Sequence, residues 1–376
     1  MHPTVPRIPP ELCELIVEQL SDSPKDLLAC SLVCREWFIL ARNHTTIYLS
    51  AQNVSGFLDL LELSTTTVFY NIRRLEVFAW GAEERVHLPI LQILPQFQRL
   101  YSLVLWCPFP YGLPDLPWLT ELELSGTFRS YASFVHFMSN LPVLQSLVLD
   151  DVQWADIPQL PLSFPSLDLR TLSLDFGMRA PIEAIMLPIR TRSLTLGLWS
   201  HGSFPITWLQ RVPTYLHRLG GHLHHLNLRC DSDEHIHHVS AMDFHHNVGL
   251  QHLEIGEAVR LNVVGESSEV DVSPFLERLL ARVAPHCRLQ TLTLGVQTVN
   301  ATARTSFLQF AQLLDTPQFS ALREIQFIVH GSPFVLRASA RAARERFELL
   351  LPAILPACAT RQVVCIDGED PDEVWC

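Results

Sequence analysis

Two short stretches, LTELEL at Leu119–Leu124 and LQSLVL at Leu144–Leu149, have the same spacing of apolar residues. Each carries apolar residues at its first, fourth and sixth positions. The last two are two residues apart, so a β-strand places both side chains on one face and turns the residue between them to the other face. The spacing therefore predicts, in each stretch, a strand with one buried side and one exposed side.

The same spacing recurs along most of the chain. Ten phrases carry it, with Thr191 replacing the first apolar residue of the sixth: IRRLEV, LYSLVL, LTELEL, LQSLVL, LRTLSL, TRSLTL, LHHLNL, LQHLEI, LQTLTL and LREIQF. They begin at Ile72, Leu100, Leu119, Leu144, Leu169, Thr191, Leu223, Leu250, Leu289 and Leu322. A single unit of this kind cannot bury its apolar face, so neighbouring units must stack. The series predicts a repeat protein.

Helical patterns fill the longer gaps between the phrases. They cover Ser130–Leu141, Phe204–Gly221, Ser273–Cys287 and Ala338–Leu355. Ser273 and Pro274 are typical of a helix start, and Gly220-Gly221 of a helix stop. The alternation of strand and helix predicts an α/β fold with parallel strands and outer helices. A final strand and an acidic tail over residues 367–376 are expected at the C-terminal end.

The phrase resembles the L-x-x-L-x-L-x-x-N pattern of leucine-rich repeats over residues 70–330. The resemblance implies a solenoid, which we assign to residues 51–366. The Asn of the family pattern is absent: its positions hold Trp80, Pro108, Thr127, Val152, Gly177, Trp199, Asp231, Ala258, Gln297 and His330. Without that Asn, and with unequal steps between phrases, an irregular solenoid is expected.

The strand face without helices is predicted to bind another protein, which we call the target. It is lined by the third, fifth and seventh positions of each phrase, where aromatic residues are followed by acidic ones. The predicted target-binding residues are Phe78, Trp106, Glu121, Glu123, Asp150 and Asp175. Such a face suits a basic, partly apolar segment of another protein. The alternative is that each of them is an ordinary solvated strand residue.

The N-terminal stretch has a different, helical rhythm. Leu12, Leu15, Ile16 and Leu20 recur at helical spacing after Pro9-Pro10. Ser23 is a predicted N-cap for a second helix, and a third is predicted around 36–42. Three short helices cannot enclose this much apolar surface by themselves, so part of it is expected to face another body.

Several features of this region resemble an F-box, which we assign to residues 6–50. They are Ile8-Pro9, Glu11-Leu12, Ile16, Asp26-Leu27-Leu28 and the run from Ser31 to Trp37. The resemblance implies that a Skp-type adaptor of cullin-based ubiquitin ligases binds Ile8, Pro9, Leu12, Ile16, Leu27, Leu28, Val33 and Trp37.

An alternative is that these helices only cap the repeats. In a mixed arrangement, Leu12, Ile16 and Leu27 face outward, while Trp37, Phe38 and Leu40 face inward.

Composition limits the function classes. Apolar residues make up 48% of the chain, enough for a large core, and 27 Lys plus Arg against 39 Asp plus Glu give a net charge of −12. This balance argues against nucleic acid or a membrane surface as partner. The nine scattered cysteines are interpreted as reduced thiols, with Cys34 buried. No secretion signal is recognised, so the expected location is cytoplasmic and/or nuclear.

The histidines suggest a further possibility. Nine of the 17 lie between His222 and His252, and a helix would put His235 and His238 on one face, as metal ligands often are. A polar segment whose charge rises below pH 6.5 is the simpler interpretation. No phosphate-binding glycine loop or hydrolase motif occurs, so no cofactor and no catalysis are expected.

The sequence therefore favours a non-catalytic substrate receptor that joins a ligase adaptor, and through it a cullin, to an unknown target protein. A repeat scaffold acting without ubiquitination is the alternative, and a His-rich metal-binding protein is the third hypothesis.

Overall fold

The structure is a computed structural model. It describes residues 8–20, 23–34, 36–37, 40–41, 46–63, 72–78, 84–109, 113–155, 164–175, 188–198, 211–230, 242–264, 267–272, 274–283, 286–299, 307–330, 344–345, 347–348 and 362–367. The chain divides into two compact units, Met1–Leu167 and Asp168–Cys376.

The first unit begins with two helices, α1 (Pro10–Gln19) and α2 (Pro24–Ser31). Ser23 is the N-cap of α2 as predicted, but its hydroxyl donates to the Asp26 carboxylate at 2.6 Å and caps no backbone amide. Residues 36–37 and 40–41 are also helical. The residues between these pairs lie outside the described chain, so the third helix stays a prediction.

Five parallel strands follow in the first unit. They are β1 (Thr46–Ser50), β2 (Arg74–Phe78), β3 (Ser102–Trp106), β4 (Glu121–Phe128) and β5 (Ser146–Trp154), and each pairs with the next along the chain. The described helices between them are α3 (Val54–Leu63), α4 (Glu84–Ile93) and α5 (Tyr131–Ser139). Strand β1 lies inside the range assigned to the F-box, so the sheet begins before residue 51.

The second unit continues the alternation. Its strands are β6 (Leu167–Asp175), β7 (Ile189–Leu198), β8 (His225–Cys230), β9 (His252–Val264), β10 (Ser267–Val272), β11 (Thr291–Val299), β12 (Glu324–His330) and β13 (Gln362–Asp367). Its helices are α6 (Val212–Leu219), α7 (Pro274–Leu280) and α8 (Phe307–Leu314). Strands β7, β8, β9, β11, β12 and β13 pair in parallel in that order, and β10 pairs antiparallel with β9.

All ten phrases form strands, and their apolar residues form the core. The fourth and sixth residues of every phrase are at most 2% exposed. Thr191, the one polar residue in a first apolar position, is 1% exposed, and its hydroxyl donates to the Ser193 carbonyl at 2.8 Å. A buried hydroxyl with a hydrogen-bond acceptor is tolerated, so the repeat persists through this unit.

The helix predictions are partly confirmed. Helix α5 begins after Ser130, whose hydroxyl accepts from the Ser133 amide, and α6 ends at Gly220, which has φ +50°. Helix α7 ends at Leu280 rather than reaching Cys287, because Val283 forms a bridge to Phe244 and Pro285 follows in the sequence. The acidic tail lies outside the described residues.

Candidate binding surfaces

The N-terminal helices enclose a small apolar core. Val17, Leu27, Cys30 and Ala41 are at most 8% exposed and pack together, with the partly buried Leu20, Trp37 and Leu40 against them. Cys13 and Val17 lie four residues apart, so one face of α1 points into the module.

A second set of apolar side chains in this module is exposed. Their exposed fractions run from 40% to 80%: Ile8 51%, Leu12 50%, Leu15 53%, Ile16 40%, Leu32 80% and Val33 64%. We call these six residues the apolar patch. Leu12, Leu15 and Ile16 share one face of α1 by their spacing, and large apolar side chains left in water in this number favour an interaction site.

The structure divides the predicted adaptor residues between these two sets. Ile8, Leu12, Ile16 and Val33 lie in the apolar patch, and Pro9 is exposed beside them. The expectation that Leu27 faces outward is wrong: it is 4% exposed and belongs to the module core. Trp37 is half-buried against the same core. The side chains of Leu28 and Phe38 lie outside the described part.

Two further residues of the patch were not among the predicted adaptor residues. Leu15 belongs to the helical spacing of α1, so its exposure could have been found from the sequence. Leu32 follows the end of α2, where helical spacing no longer predicts direction. Cys34, expected to be buried, is exposed, and its thiol donates to Glu36 at 3.4 Å.

The strand face of the first unit carries three rows of side chains, set by the pairing register. The middle row is Tyr48, Glu76, Val104, Glu123 and Val148, and the next is Ser50, Phe78, Trp106, Ser125 and Asp150. The remaining row runs from Thr46 through Arg74, Ser102 and Glu121 to Ser146.

The register thus brings five of the six predicted target residues onto one surface, which we call the aromatic–acidic face. The exposed Tyr48 of β1 adds a third ring, which was missed because that strand was not predicted.

Two aromatic rings form the centre of the aromatic–acidic face. The Phe78 and Trp106 rings lie edge to face with centroids 5.4 Å apart. The Trp106 indole N–H donates to the Glu123 carboxylate at 3.0 Å, so the indole is held in one orientation. Edge-to-face pairs are favourable because the positive rim of one ring meets the negative face of the other.

The carboxylates beside these rings are partly desolvated. Burial raises the pKa of Glu76, and the charge of Glu123 raises it further, although Arg74 opposes the shift. Burial also raises the pKa of Glu123, against the opposing effect of the Trp106 hydrogen bond. The two groups are therefore held near each other at a cost in free energy when both are ionised.

Asp150 precedes a bulge that ends the regular part of the face. The register between β4 and β5 shifts after Ser125, and Asp151 takes a positive φ of 42°. The sixth predicted target residue, Asp175, lies at the end of β6 in the second unit.

The strand face of the second unit has different chemistry. His225 and His252 are register partners on β8 and β9, and their rings stack at 4.3 Å with an interplanar angle of 2°. Burial lowers the pKa of both, so the neutral rings are favoured. The next row across the strands holds Asn227, Glu254, Thr293 and Gln326, and the Thr293 hydroxyl donates to the side-chain carbonyl oxygen of Gln326 at 3.2 Å.

The structure tests the metal hypothesis only in part. No group of three or more His, Cys, Asp or Glu side chains among the described residues is arranged to hold a metal ion. His235 and His238 lie outside the described residues. Within the same described ranges, no helix has the length and apolar character needed to cross a membrane.

Comparison with known proteins gives a family match for the N-terminal module. Residues 5–50 match the F-box-like family model, and this range contains the apolar patch. F-box domains bind Skp-type adaptors. The search of curated proteins returned no match to this chain. The N-terminal module is therefore similar to an F-box domain.

Proposed function

We propose that this protein is a substrate receptor of a cullin-based ubiquitin ligase, acting in the cytoplasm and/or the nucleus. The apolar patch binds the Skp-type adaptor, which in turn binds the cullin. The aromatic–acidic face binds the target protein. The observation that carries the proposal is that the F-box-like match and the exposed apolar side chains fall on the same residues.

The size of the apolar patch suits stable docking. Full burial of an aliphatic side chain contributes roughly 1.5–3 kcal/mol, while association of two proteins costs roughly 4–15 kcal/mol in lost freedom. The patch offers six such side chains that are already partly exposed. Because these side chains start 40–80% exposed, burying the rest of each gains about half of the full value, or roughly 5–10 kcal/mol for all six, which offsets a large part of the cost of association.

The module core supports this arrangement without taking part in it. Leu27 and Val17 fix the packing of α2 on α1, so the patch is presented on a formed surface. A rigid surface binds more tightly than a mobile one because less conformational freedom is lost on docking.

The proposed role requires no chemistry in this chain. A receptor that holds a target near a ligase-bound enzyme raises the local concentration of the target's lysines. F-box proteins are generally non-catalytic receptors of this kind. The ubiquitin transfer itself would occur on another subunit.

Co-purification with a Skp-type adaptor tests the proposal. The variant Leu12→Asp/Ile16→Asp places two charges in the patch and spares the module core. We expect it to lose adaptor binding by at least about 100-fold, which corresponds to about 2.7 kcal/mol. The matched control is Val143→Asp, an equally exposed apolar residue (45%) outside the module, which we expect to bind normally.

Circular dichroism and thermal unfolding check that both variants fold. The proposal is wrong if the wild-type protein does not retain the adaptor, or if the folded double variant retains it as well as the control. The first of these results would favour the scaffold alternative.

A further inference from the structure

We propose that the aromatic–acidic face recognises an arginine side chain of the target protein. The inference deepens the proposed function, because it specifies the chemistry of the segment that the receptor binds. It rests on the geometry of Phe78, Trp106, Glu76 and Glu123.

The rings provide a surface on which a flat cation can stack. Phe78 and Trp106 are register neighbours on β2 and β3, and both side chains are partly exposed on the strand face. The hydrogen bond from the Trp106 indole to Glu123 prevents the ring from turning away. A cation over an indole face is attracted by the ring's quadrupole, and this attraction strengthens when water is excluded.

The carboxylates provide the opposite charge at a suitable separation. Glu76 and Glu123 lie in one row with Val104 between them, so they are two strand spacings, or roughly 10 Å, apart along the sheet. Partial burial raises the pKa values of both groups, and the opposing effects of Arg74 on Glu76 and of the Trp106 hydrogen bond on Glu123 offset only part of these shifts. A bound cation would offset the rest.

These features favour arginine over lysine. A guanidinium is planar, carries five N–H donors and is weakly hydrated, so it can stack on Trp106 while donating to carboxylates on either side. An ammonium is compact and strongly hydrated, so it acts as a point charge and has no flat face to stack on the indole. The apolar Val104 between the two carboxylates suits the flat face of the guanidinium or the aliphatic stem beside it.

The second unit provides an internal contrast. On its described strand face, His225 and His252 stack at the third positions of their phrases, whereas Phe78 and Trp106 lie at the seventh positions of theirs. Glu254 occupies the same fifth position in its phrase as Glu76 and Glu123 do in theirs, but its register neighbours are Asn227 and Thr293. Glu254 is therefore a matched control for the effect of a carboxylate on a strand face.

The test is peptide binding to the full chain. The probes are Leu-Arg-Leu amide with fluorescein on its N-terminal amine and the same labelled peptide with citrulline or lysine in the central position. Citrulline keeps the shape of arginine and removes its charge. Fluorescence anisotropy measures affinity, and indole N–H signals of ¹⁵N-tryptophan-labelled protein locate the site, with Trp106→Phe identifying the Trp106 signal.

We expect saturable binding of the arginine peptide, at least tenfold weaker binding of the citrulline peptide, and several-fold weaker binding of the lysine peptide. Glu76→Gln/Glu123→Gln should weaken arginine binding at least tenfold, whereas Glu254→Gln should leave it unchanged. The Trp106 indole signal should shift as the arginine peptide is added.

The inference is overturned if the arginine peptide does not bind saturably, if citrulline binds equally well, or if Glu254→Gln has the same effect as the double variant. Equal binding of the lysine peptide overturns the specification of arginine. Adaptor retention is measured on the same samples. If the protein binds the arginine peptide but does not retain the adaptor, the ligase role is wrong and the arginine site is supported. If it retains the adaptor but does not bind the arginine peptide, only the arginine site is wrong.

Discussion

The N-terminal module and the strands of the first unit use apolar residues in opposite ways. The strand phrases bury their fourth and sixth residues to 2% exposure or less, whereas the module leaves six large apolar side chains between 40% and 80% exposed. Both regions are comparably rich in leucine and isoleucine. Residue type alone therefore does not decide which apolar side chains are buried and which are exposed, and the arrangement of neighbouring residues does.

The largest expected change in the free energy of unfolding comes from a substitution in the core of the strands. Leu124→Ala removes a side chain that is 0% exposed, and we expect a loss of about 2–5 kcal/mol in the free energy of unfolding. Urea denaturation followed by circular dichroism measures it. Val143→Ala, at an exposed site, should change stability by less than about 0.5 kcal/mol. Equal effects would show that Leu124 is not part of a packed core.

A smaller loss is expected from the module core. Leu27→Ala should cost about 2 kcal/mol, because the surrounding core is small and can partly collapse into the space. Hydrogen exchange of the α1 amides is the measurement, since it reports opening of this module separately from the strands. Leu32→Ala, at 80% exposure, should leave those exchange rates unchanged. Faster exchange in the Leu32 variant would contradict the division between core and patch.

Two glycines, one in a strand and one in a helix, should respond to alanine substitution with opposite changes in stability. A Cβ at Gly126 would meet the Cys107 carbonyl, and φ there is +139°, so Gly126→Ala should cost roughly 1–3 kcal/mol. Gly56 in α3 has open space around the same position, so Gly56→Ala should stabilise by about 0.5–1 kcal/mol. Thermal unfolding of both variants checks the opposite signs. Two changes of the same sign would refute the backbone argument.

The aromatic–acidic face should weaken the fold slightly at neutral pH. The folded-state pKa of Glu76 lies above its ordinary value of 4.5, so its contribution is most favourable below that pH and is lost as pH rises through the folded value. Glu76→Gln should therefore raise the free energy of unfolding at pH 7 and leave it unchanged at pH 4. The increase should be less than about 1 kcal/mol because solvent screens the charge. Urea denaturation at both pH values measures it. A stabilisation that is equal at both pH values would argue against a charge effect.

The stacked histidines should respond to pH in the opposite direction. Both folded-state pKa values lie below the ordinary value of 6.5, so stability is complete above that pH and is lost as pH falls through the folded values. His225→Phe/His252→Phe should reduce this acid-side loss, which is the smallest effect expected here. Chemical denaturation at pH 7 and pH 5 measures it. His136→Phe on the exposed side of α5 is the control, and an equal change in that variant would show that the stack is not responsible.

Much of the fold was predictable because strand burial has a period of two residues. Each phrase from Ile72 to Leu322 marked a strand that the structure contains, and Thr191 kept its place because its hydroxyl found an acceptor. Strand β1 was missed because TIYLS lacks the preceding apolar residue of the phrase. Strand β10 was missed because SSEVDV carries no repeat signal and is fixed by antiparallel pairing with β9.

The candidate sites were predictable only in part. Helical spacing identified Leu12 and Ile16 as members of one face, but it could not separate Leu27 from them, because both faces of α2 carry apolar residues. Leu27 is buried because α1 supplies Val17 opposite it. Cys34 was misjudged for the related reason that an apolar stretch need not be buried along its whole length.

Local periodicity and the F-box-like pattern lie in consecutive residues, so an α/β body of repeated strand phrases and an N-terminal helical module could be predicted before the structure. Tertiary structure alone decided which side chains share a surface. Tyr48, Glu76 and Glu123 are separated by up to 75 positions along the chain and are brought into one row only by strand register, a property of pairing between distant segments. Register is set by packing of the apolar residues against one another, so the polar face follows from the core beneath it.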